Sequence, residues 1–547
     1  MFGDNAIIEK RQLMLKRILH YAISILPWIV LCFGVSYNVW YIVGPGSKLI
    51  DSDMSAELIL ANTLNHEHSI LSTNWFYSTE LHVFNIQWFF RIGLLLFPHN
   101  WSIARATAMI LIMITLIALW ICLGYISGYY KIAIWIAAFT MLPFGEHYQY
   151  YCTFGGFYWM HHIYILLGIV LITCTVDYRH LFSHKQRKAF AITSIIIGLI
   201  TGLNGIRTLM NLYIPLLLAT AILLSFKVRN TGINSWKFIN QKARAESKAF
   251  LTVLASVVSS TIGYFFSVNV LSTKYPYESF VELNLVPYDF HFELKNFIYM
   301  FGFNPNIRVF SIEGIVSLFG LLIGGSVIIC AINLIRKFNT LSPVEQLLVL
   351  VSVVAIAIND LVLCFGDNYQ VYYWVPMFPY AFIIIWLQLS TTKFNLTGIV
   401  ESILVIMACS MCISSVITID NSISTPKHGD PAIYDLTKWL QTMGYTQGCT
   451  ANSFWRSQII TEMSNGEIEV WTLNDNSSDG VLHWLQNSSH ATQYPSGRHF
   501  LLLDGEYNIT QEDEHVLRGN GTIVYGDDNY SIYEFEDSSW IPRPNEE

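Results

Sequence analysis

The chain has 547 residues, 53% of them hydrophobic and only 13% charged. Soluble domains carry about a quarter charged residues, so this composition excludes a soluble globular class and indicates a polytopic membrane protein. The net charge of −8 is uneven: from Asn421 onward 19 acids face 6 bases, a balance of −13, and the remainder carries +5, as expected of two parts in separate compartments.

At the N-terminus, Lys10, Arg11, Lys16 and Arg17 precede a long apolar run. The run exceeds a signal-peptide core and lacks a small-residue cleavage site, so a retained first helix is expected. Spans follow near 18–43, 104–126, 158–176, 189–206, 208–226, 249–269, 311–335, 345–365, 371–390 and 397–419, each approaching the roughly 20 apolar residues a crossing needs. A shorter apolar stretch, 131–145, reads as the return arm of a hairpin and makes eleven. The basic clusters before span 1, at Arg179/Lys185/Arg187/Lys188, at Lys227–Lys248 and at Arg336/Lys337 then all fall on one side, with Lys131 and Lys393 in weaker agreement. By the positive-inside rule the N-terminus is inside and the C-terminus outside. The expected division is a transmembrane domain over 1–420 and an extracytoplasmic α/β domain over 421–547.

The first outer loop, 44–103, opens with Asp51-Ser52-Asp53, and Glu57 follows one helical turn after Asp53. Acids near the bilayer in a membrane chain are functional candidates by default. A carboxylate here could take a proton from an acceptor hydroxyl or hold a divalent cation, Mg or Mn, against a lipid phosphate. The competing reading is that Asp53 or Ser52 caps a helix Met54–Asn65. A second amphipathic stretch is expected over Trp75–Phe90. Glu80 within it is either a further cavity acid that binds sugar hydroxyls or part of a solvated face.

Glu146 and His147 stand just outside the third span. They could complete a substrate or metal site with Asp51 and Asp53, or form an ordinary polar loop. The adjacent His161 and His162 point to different helix faces and lack metal-pair spacing. Arg207 lies in Gly202-Leu203-Asn204-Gly205-Ile206-Arg207. It is one of few cations expected on the outer side, where it could fork onto phosphate oxygens beside Asn204. The alternative is a snorkelling Arg. Lys274 and Arg308, in the aromatic outer loop 270–310, are weaker versions of the same argument.

In the tail, helices are expected over 430–443 and Ser453–Glu462, and strands over Glu467–Leu473, His499–Leu503, Thr522–Tyr525 and Tyr530–Phe535. The run Cys449 to Arg456 could touch substrate or build a local fold. The nine cysteines show no disulfide or metal pattern. No Walker-type phosphate loop, hydrolase signature or inverted repeat of broken spans appears.

The acidic motif in the first outer loop, the inside N-terminus, the many spans and the outer α/β tail resemble the GT-C superfamily of membrane glycosyltransferases. That group includes protein mannosyltransferases, aminoarabinose transferases and oligosaccharyltransferase catalytic subunits. The resemblance is one of architecture over most of the chain, and Asp51-Ser52-Asp53 and more loosely Glu146 are the residues that carry it. It implies a polyprenyl-phosphate sugar donor and an extracytoplasmic glycan, lipid or protein acceptor at the bilayer, with no nucleic acid. It further implies a first-loop Asp as base or metal ligand and an outer Arg, here Arg207, on the donor phosphate. Asp53 is preferred to Asp51 because it begins the helix and shares a face with Glu57. The chain departs from the family's best-known members in lacking a tryptophan-flanked acidic motif. A lipid or lipid-linked glycan transporter without covalent chemistry, and a non-catalytic scaffold, are the competing functions.

Overall fold

The computed structural model describes residues 24–231, 243–275, 277, 290–363, 370–391, 397–451, 454–474, 480–504, 521–538 and 540–541. The N-terminal basic residues, Lys393 and much of the aromatic loop 270–310 lie outside these. Among the described residues ten helices are long and apolar enough to cross a membrane: Ser24–Lys48, Trp101–Ser127, Trp159–Val176, His184–Leu203, Leu209–Arg229, Arg244–Leu271, Ile312–Arg336, Pro343–Leu363, Val371–Thr391 and Ile399–Ser424. They match the ten long segments expected from sequence.

The eleventh segment is a helix of only 11 residues, Tyr130–Thr140. At 1.5 Å per residue it is too short to cross alone, yet it joins the two ends of the bundle. At one end Tyr129 bonds Glu345. Midway, Asn38 Nδ2 donates to the Met141 carbonyl at 2.7 Å. Beyond its other end Glu146 pairs with Lys427, at the root of the tail. The irregular residues 141–145 finish the crossing. They are tolerated because they are buried in protein, where their backbone groups find partners: Gly145 N–H donates to Thr418 Oγ1 at 3.0 Å.

The loop after the first span folds into a 16-residue helix, Ser52–Glu67, with Asp51 as its cap. The stretch expected as an amphipathic helix over Trp75–Phe90 is different. Trp75–Phe76 is a short strand, 77–86 is irregular, and the helix runs over Gln87–Leu96. Trp75 and Phe76 pair antiparallel with Asn487 and Gln486 of the tail, so contact with a distant partner overrides the local pattern.

The tail carries helices Pro431–Thr442 and Phe454–Met463 and a five-stranded sheet. Strand Gln447–Ala451 lies between Glu469–Leu473 and His499–Asp504, parallel to both. Tyr530–Phe535 and Thr522–Gly526 extend the sheet antiparallel. The helices and four strands expected from sequence are present. The unexpected strand is Gln447–Ala451, which puts Cys449 in the core rather than against a substrate.

One contact binds the two parts. Arg105, fully buried near the start of Trp101–Ser127, forks onto Glu462 with Nε–Oε1 at 2.8 Å and Nη2–Oε2 at 2.6 Å. The same Nη2 donates to the Met54 carbonyl at 2.9 Å, in the first turn of the acidic helix. Removing one partner of such a pair leaves an uncompensated buried charge. Glu462→Gln is expected to lose about 3–5 kcal/mol of stability, read as a lower unfolding temperature in detergent. The double variant Arg105→Met/Glu462→Met should recover most of that loss.

Candidate functional site

The acidic helix dictates how its carboxylates divide. The first N–H groups of a helix have no intrahelical partner. Asp51 satisfies one of them, its Oδ1 accepting from Met54 N–H at 2.9 Å. Asp51 is 1% exposed, and its Oδ2 is buried without a hydrogen bond. The capping alternative therefore falls on Asp51, not on Asp53 or Ser52. Asp53, in the first turn, is half-buried. Burial raises both carboxyls, Asp51 to about 7 with a contribution from Asp53, and Asp53 to about 6 with a contribution from Glu57.

Glu57 is nearly enclosed and pairs with His82, Oε1 to Nδ1 at 3.2 Å. The other ring nitrogen of His82 is 3.9 Å from Glu80 Oε2, and Glu80 Oε1 is 3.6 Å from Arg207 Nε. Charges thus alternate along Glu57, His82, Glu80 and Arg207. Burial disfavours the imidazolium, but Glu57 and then Glu80 outweigh it, so the His82 pKa is raised. Burial likewise opposes the Arg207 charge, and Glu80 and Tyr158 more than restore it.

The turn that presents Arg207 explains the local sequence. Asn204 locks the loop carrying Glu80 and His82: its Oδ1 accepts from Phe84 N–H at 2.7 Å and its Nδ2 donates to Phe84 O at 2.7 Å. Its amide is committed to position rather than presented to a ligand. Gly205 has φ +113°, and a Cβ there would come within 2.4 Å of the Glu80 carboxylate. Only glycine meets both conditions.

Glu57, Glu80, His82, Asn204 and Arg207 line one small cavity of about 70 Å³ together with Tyr158 and His161. Glu146 and His147 line a different cavity, of about 520 Å³, at the ends of Ser24–Lys48 and Ile399–Ser424. The expected single cluster is therefore two. Tyrosines stand between them. Tyr151 contacts Tyr158 and Tyr372 with centroids 5.5 and 4.9 Å apart. The Tyr151 hydroxyl is pushed up by burial first, then by its tyrosine neighbours and by Asp51 and Asp53.

The proposed ligand set Asp51, Asp53 and Glu146 does not come together. Asp51 caps its helix, and Glu146 is held by Lys427 Nζ at 2.5 Å. Among the described residues no three of His, Cys, Asp or Glu converge in a metal-holding arrangement. The described residues do not fit that cation site. Lys274 lies over the Tyr275 ring and Arg308 lines neither cavity. Sequence reasoning missed His82, Tyr151 and Tyr158. His82 was within reach, two residues from Glu80 among the few charged residues of the loop.

No family model matches the chain, and no curated relative does. Solved structures do. The ArnT structure from Cupriavidus metallidurans in the apo state is similar at TM-score 0.57 and 11% identity, over 93% of this chain and 97% of that one. The same protein bound to undecaprenyl phosphate gives TM-score 0.59 and 12% identity, over 94% and 98%. An Archaeoglobus fulgidus oligosaccharyltransferase tethered to an acceptor peptide gives TM-score 0.47 at 13% identity, over 83% and 64%. The chain is an integral membrane protein with a GT-C-like fold.

The raised carboxyls fix a sign. A group whose folded pKa lies above its unfolded value stabilises fully below the unfolded value, and that contribution is lost as pH rises through the folded one. For Asp51 the window runs from about 4 to about 7. The unfolding temperature should therefore fall as pH rises from 5 to 8. Asp51→Asn keeps a capping oxygen. It should flatten this fall and exceed wild type at pH 8, as thermal unfolding in detergent would show.

Proposed function

We propose that the chain is a membrane glycosyltransferase that moves a sugar from a polyprenyl-phosphate donor to an acceptor on the face carrying the α/β domain. In this reading that face is extracytoplasmic and the N-terminus cytoplasmic, which the placement of the basic clusters in the sequence supports. The observation that carries the reading is the division of the acids: Asp51 is closed off as a cap, whereas the charge of the half-buried Asp53 acts on Tyr151 and Tyr372, and Tyr151 contacts Tyr158, which lines the Arg207 cavity. Support comes from the fold, which is like that of an ArnT structure bound to undecaprenyl phosphate.

In this mechanism Asp53 is the base. It takes the proton of an acceptor hydroxyl as that oxygen attacks the anomeric carbon. The bond from that carbon to the phosphate oxygen breaks, and its electron pair leaves with the polyprenyl phosphate. Displacement from the opposite face inverts the anomeric centre. Arg207, held charged by Glu80, stabilises the developing phosphate charge. His82 neutralises Glu57 and so limits the repulsion that Asp53 meets on ionising. Asn204 and Gly205 set the position of Glu80 and Arg207. Asp51, Glu146 and His147 take no part in proton transfer.

In membranes supplied with the host's radiolabelled polyprenyl-phosphate sugars, Asp53→Asn should lose at least about 100-fold in transfer, at normal protein level. Asp51→Asn should stay within about tenfold of wild type. If Asp53→Asn transfers like wild type, the base assignment fails; if wild-type membranes transfer no more sugar than membranes lacking the chain, a transporter without covalent chemistry becomes the better reading. Because Asp53 must be ionised to act, wild-type transfer should decline as pH falls through about 6. Arg207→Gln should raise the donor KM about tenfold or more, measured from initial rates at saturating acceptor.

A further inference from the structure

The larger cavity has a chemistry distinct from that around Arg207. Its charged side chains cancel or stand at the rim: Glu146 pairs with Lys427 at 2.5 Å, and Glu313 is exposed. Burial lowers the affinity of His147 and of His428 for a proton, so both imidazoles are held toward the neutral form. What remains is a lining of amides, hydroxyls and aromatic rings, including Gln149, Tyr150, Tyr299, Asn304, Asn421 and Ser422. Tyr150 is held flat by His428, their rings stacked with centroids 3.8 Å apart.

Gln149 marks the lining as a site built for a ligand. It is 3% exposed. Its Oε1 accepts from Ser422 Oγ at 3.5 Å. Its Nε2 faces the Tyr41 hydroxyl, outside good hydrogen-bonding geometry. A second, better acceptor would use the remaining N–H of this buried amide, and Gln149 lies in a π-helical turn, Gln149–Phe154, a distortion frequent at functional sites. The cavity also abuts the acidic helix. Leu49, two residues before Asp51, lines it, and Tyr151 follows Tyr150 toward Asp53.

We propose that this cavity binds an uncharged glycan, and that in the transferase reading, on which this role rests, the glycan is the acceptor. The argument is one of matching. Amides and hydroxyls donate and accept at once, as sugar hydroxyls require, and rings offer apolar faces to pyranose C–H groups. Among the described residues an anionic headgroup would find no unpaired cation in this lining to repay its lost hydration. The volume of about 520 Å³ is that of a small-ligand site. Anionic donor and neutral acceptor would then enter from opposite sides of the tyrosines, two of which, Tyr151 and Tyr372, feel the charge of Asp53.

The test is equilibrium binding to the full chain in lipid nanodiscs, without turnover. The probes are neutral tetrasaccharides of glucose, galactose, mannose and N-acetylglucosamine, and their sulfated forms. At least one neutral tetrasaccharide should bind, and sulfation should weaken it at least tenfold. Gln149→Ala should weaken binding about tenfold, and so should Asn421→Ala, an exposed position that leaves folding intact. Arg207→Gln should leave it within twofold. The proposal is overturned if no neutral probe binds, if sulfated probes bind more tightly, or if Arg207→Gln abolishes binding that Asn421→Ala spares. Transfer measured beside binding separates the two claims. If the chain binds the neutral probe but transfers no more sugar than membranes lacking it, the transferase reading fails and the glycan site stands. If the chain transfers, Asp53→Asn does not, and no neutral probe binds, the transferase reading stands and the glycan site fails.

Discussion

The bidentate contact between Arg105 and Glu462 is the constraint on which the rest of the site depends. A guanidinium buried in the bundle would be prohibitive alone. Here it bonds both oxygens of a carboxylate from the α/β domain and the Met54 carbonyl of the acidic helix. Three pieces far apart in sequence are thereby fixed to one planar group. Nearby contacts repeat the link: Asn465 Oδ1 accepts from Trp101 N–H at 2.9 Å, and Phe76 stacks on His483 at 4.3 Å. The tail is thus a wall of the machinery rather than an appendage, and the first turn of Ser52–Glu67 cannot move independently of it.

With that helix fixed, charge separates across it. On one side Arg207 is braced by Glu80, which in turn is braced by His82 and Glu57. On the other side Glu146 and Lys427 neutralise each other over a lining of hydroxyls and amides. A single cavity with all of these groups would let the cation pair with the nearest acid and would favour no ligand orientation. In the proposed reading, two cavities divided by Tyr151, Tyr158 and Tyr372 would let one take phosphate while the other takes a neutral partner.

Much of this was legible in the sequence because it follows from one-dimensional patterns. Long apolar runs gave the ten spans. Charge bias called for an eleventh at 131–145, where the structure has a helix of only 11 residues, too short to cross alone. Turn residues and alternation gave four of the tail strands. What stayed hidden depends on partners distant in the chain. Arg105 and Glu462 are 357 residues apart and no spacing joins them. Trp75–Phe76 is a strand only because Gln486–Asn487 pairs with it. Strand Gln447–Ala451 lacks alternation because it is central and covered on both faces, the condition under which a parallel strand loses its polar face. Glu146 shared a face of the membrane with Asp53, and sequence could not show that Lys427 already holds it.

In the proposed transferase, the choice between the two first-loop aspartates turns on a local rule of helix capping. Helical spacing from Glu57 already favours Asp53 over Asp51 in the sequence, but both are acids of the same loop. The helix makes them unequal. Whichever residue caps must turn its carboxylate back onto the N–H groups of the first turn, and Asp51 does so while closing into the core. The residue two positions on then projects from the first turn instead, one turn before Glu57 on the same face. His82 holds Glu57, whereas among the described residues no hydrogen bond or ion pair holds the Asp53 carboxylate. A base must be available to its substrate's proton, so capping removes one candidate, pairing removes another, and the half-buried Asp53 remains.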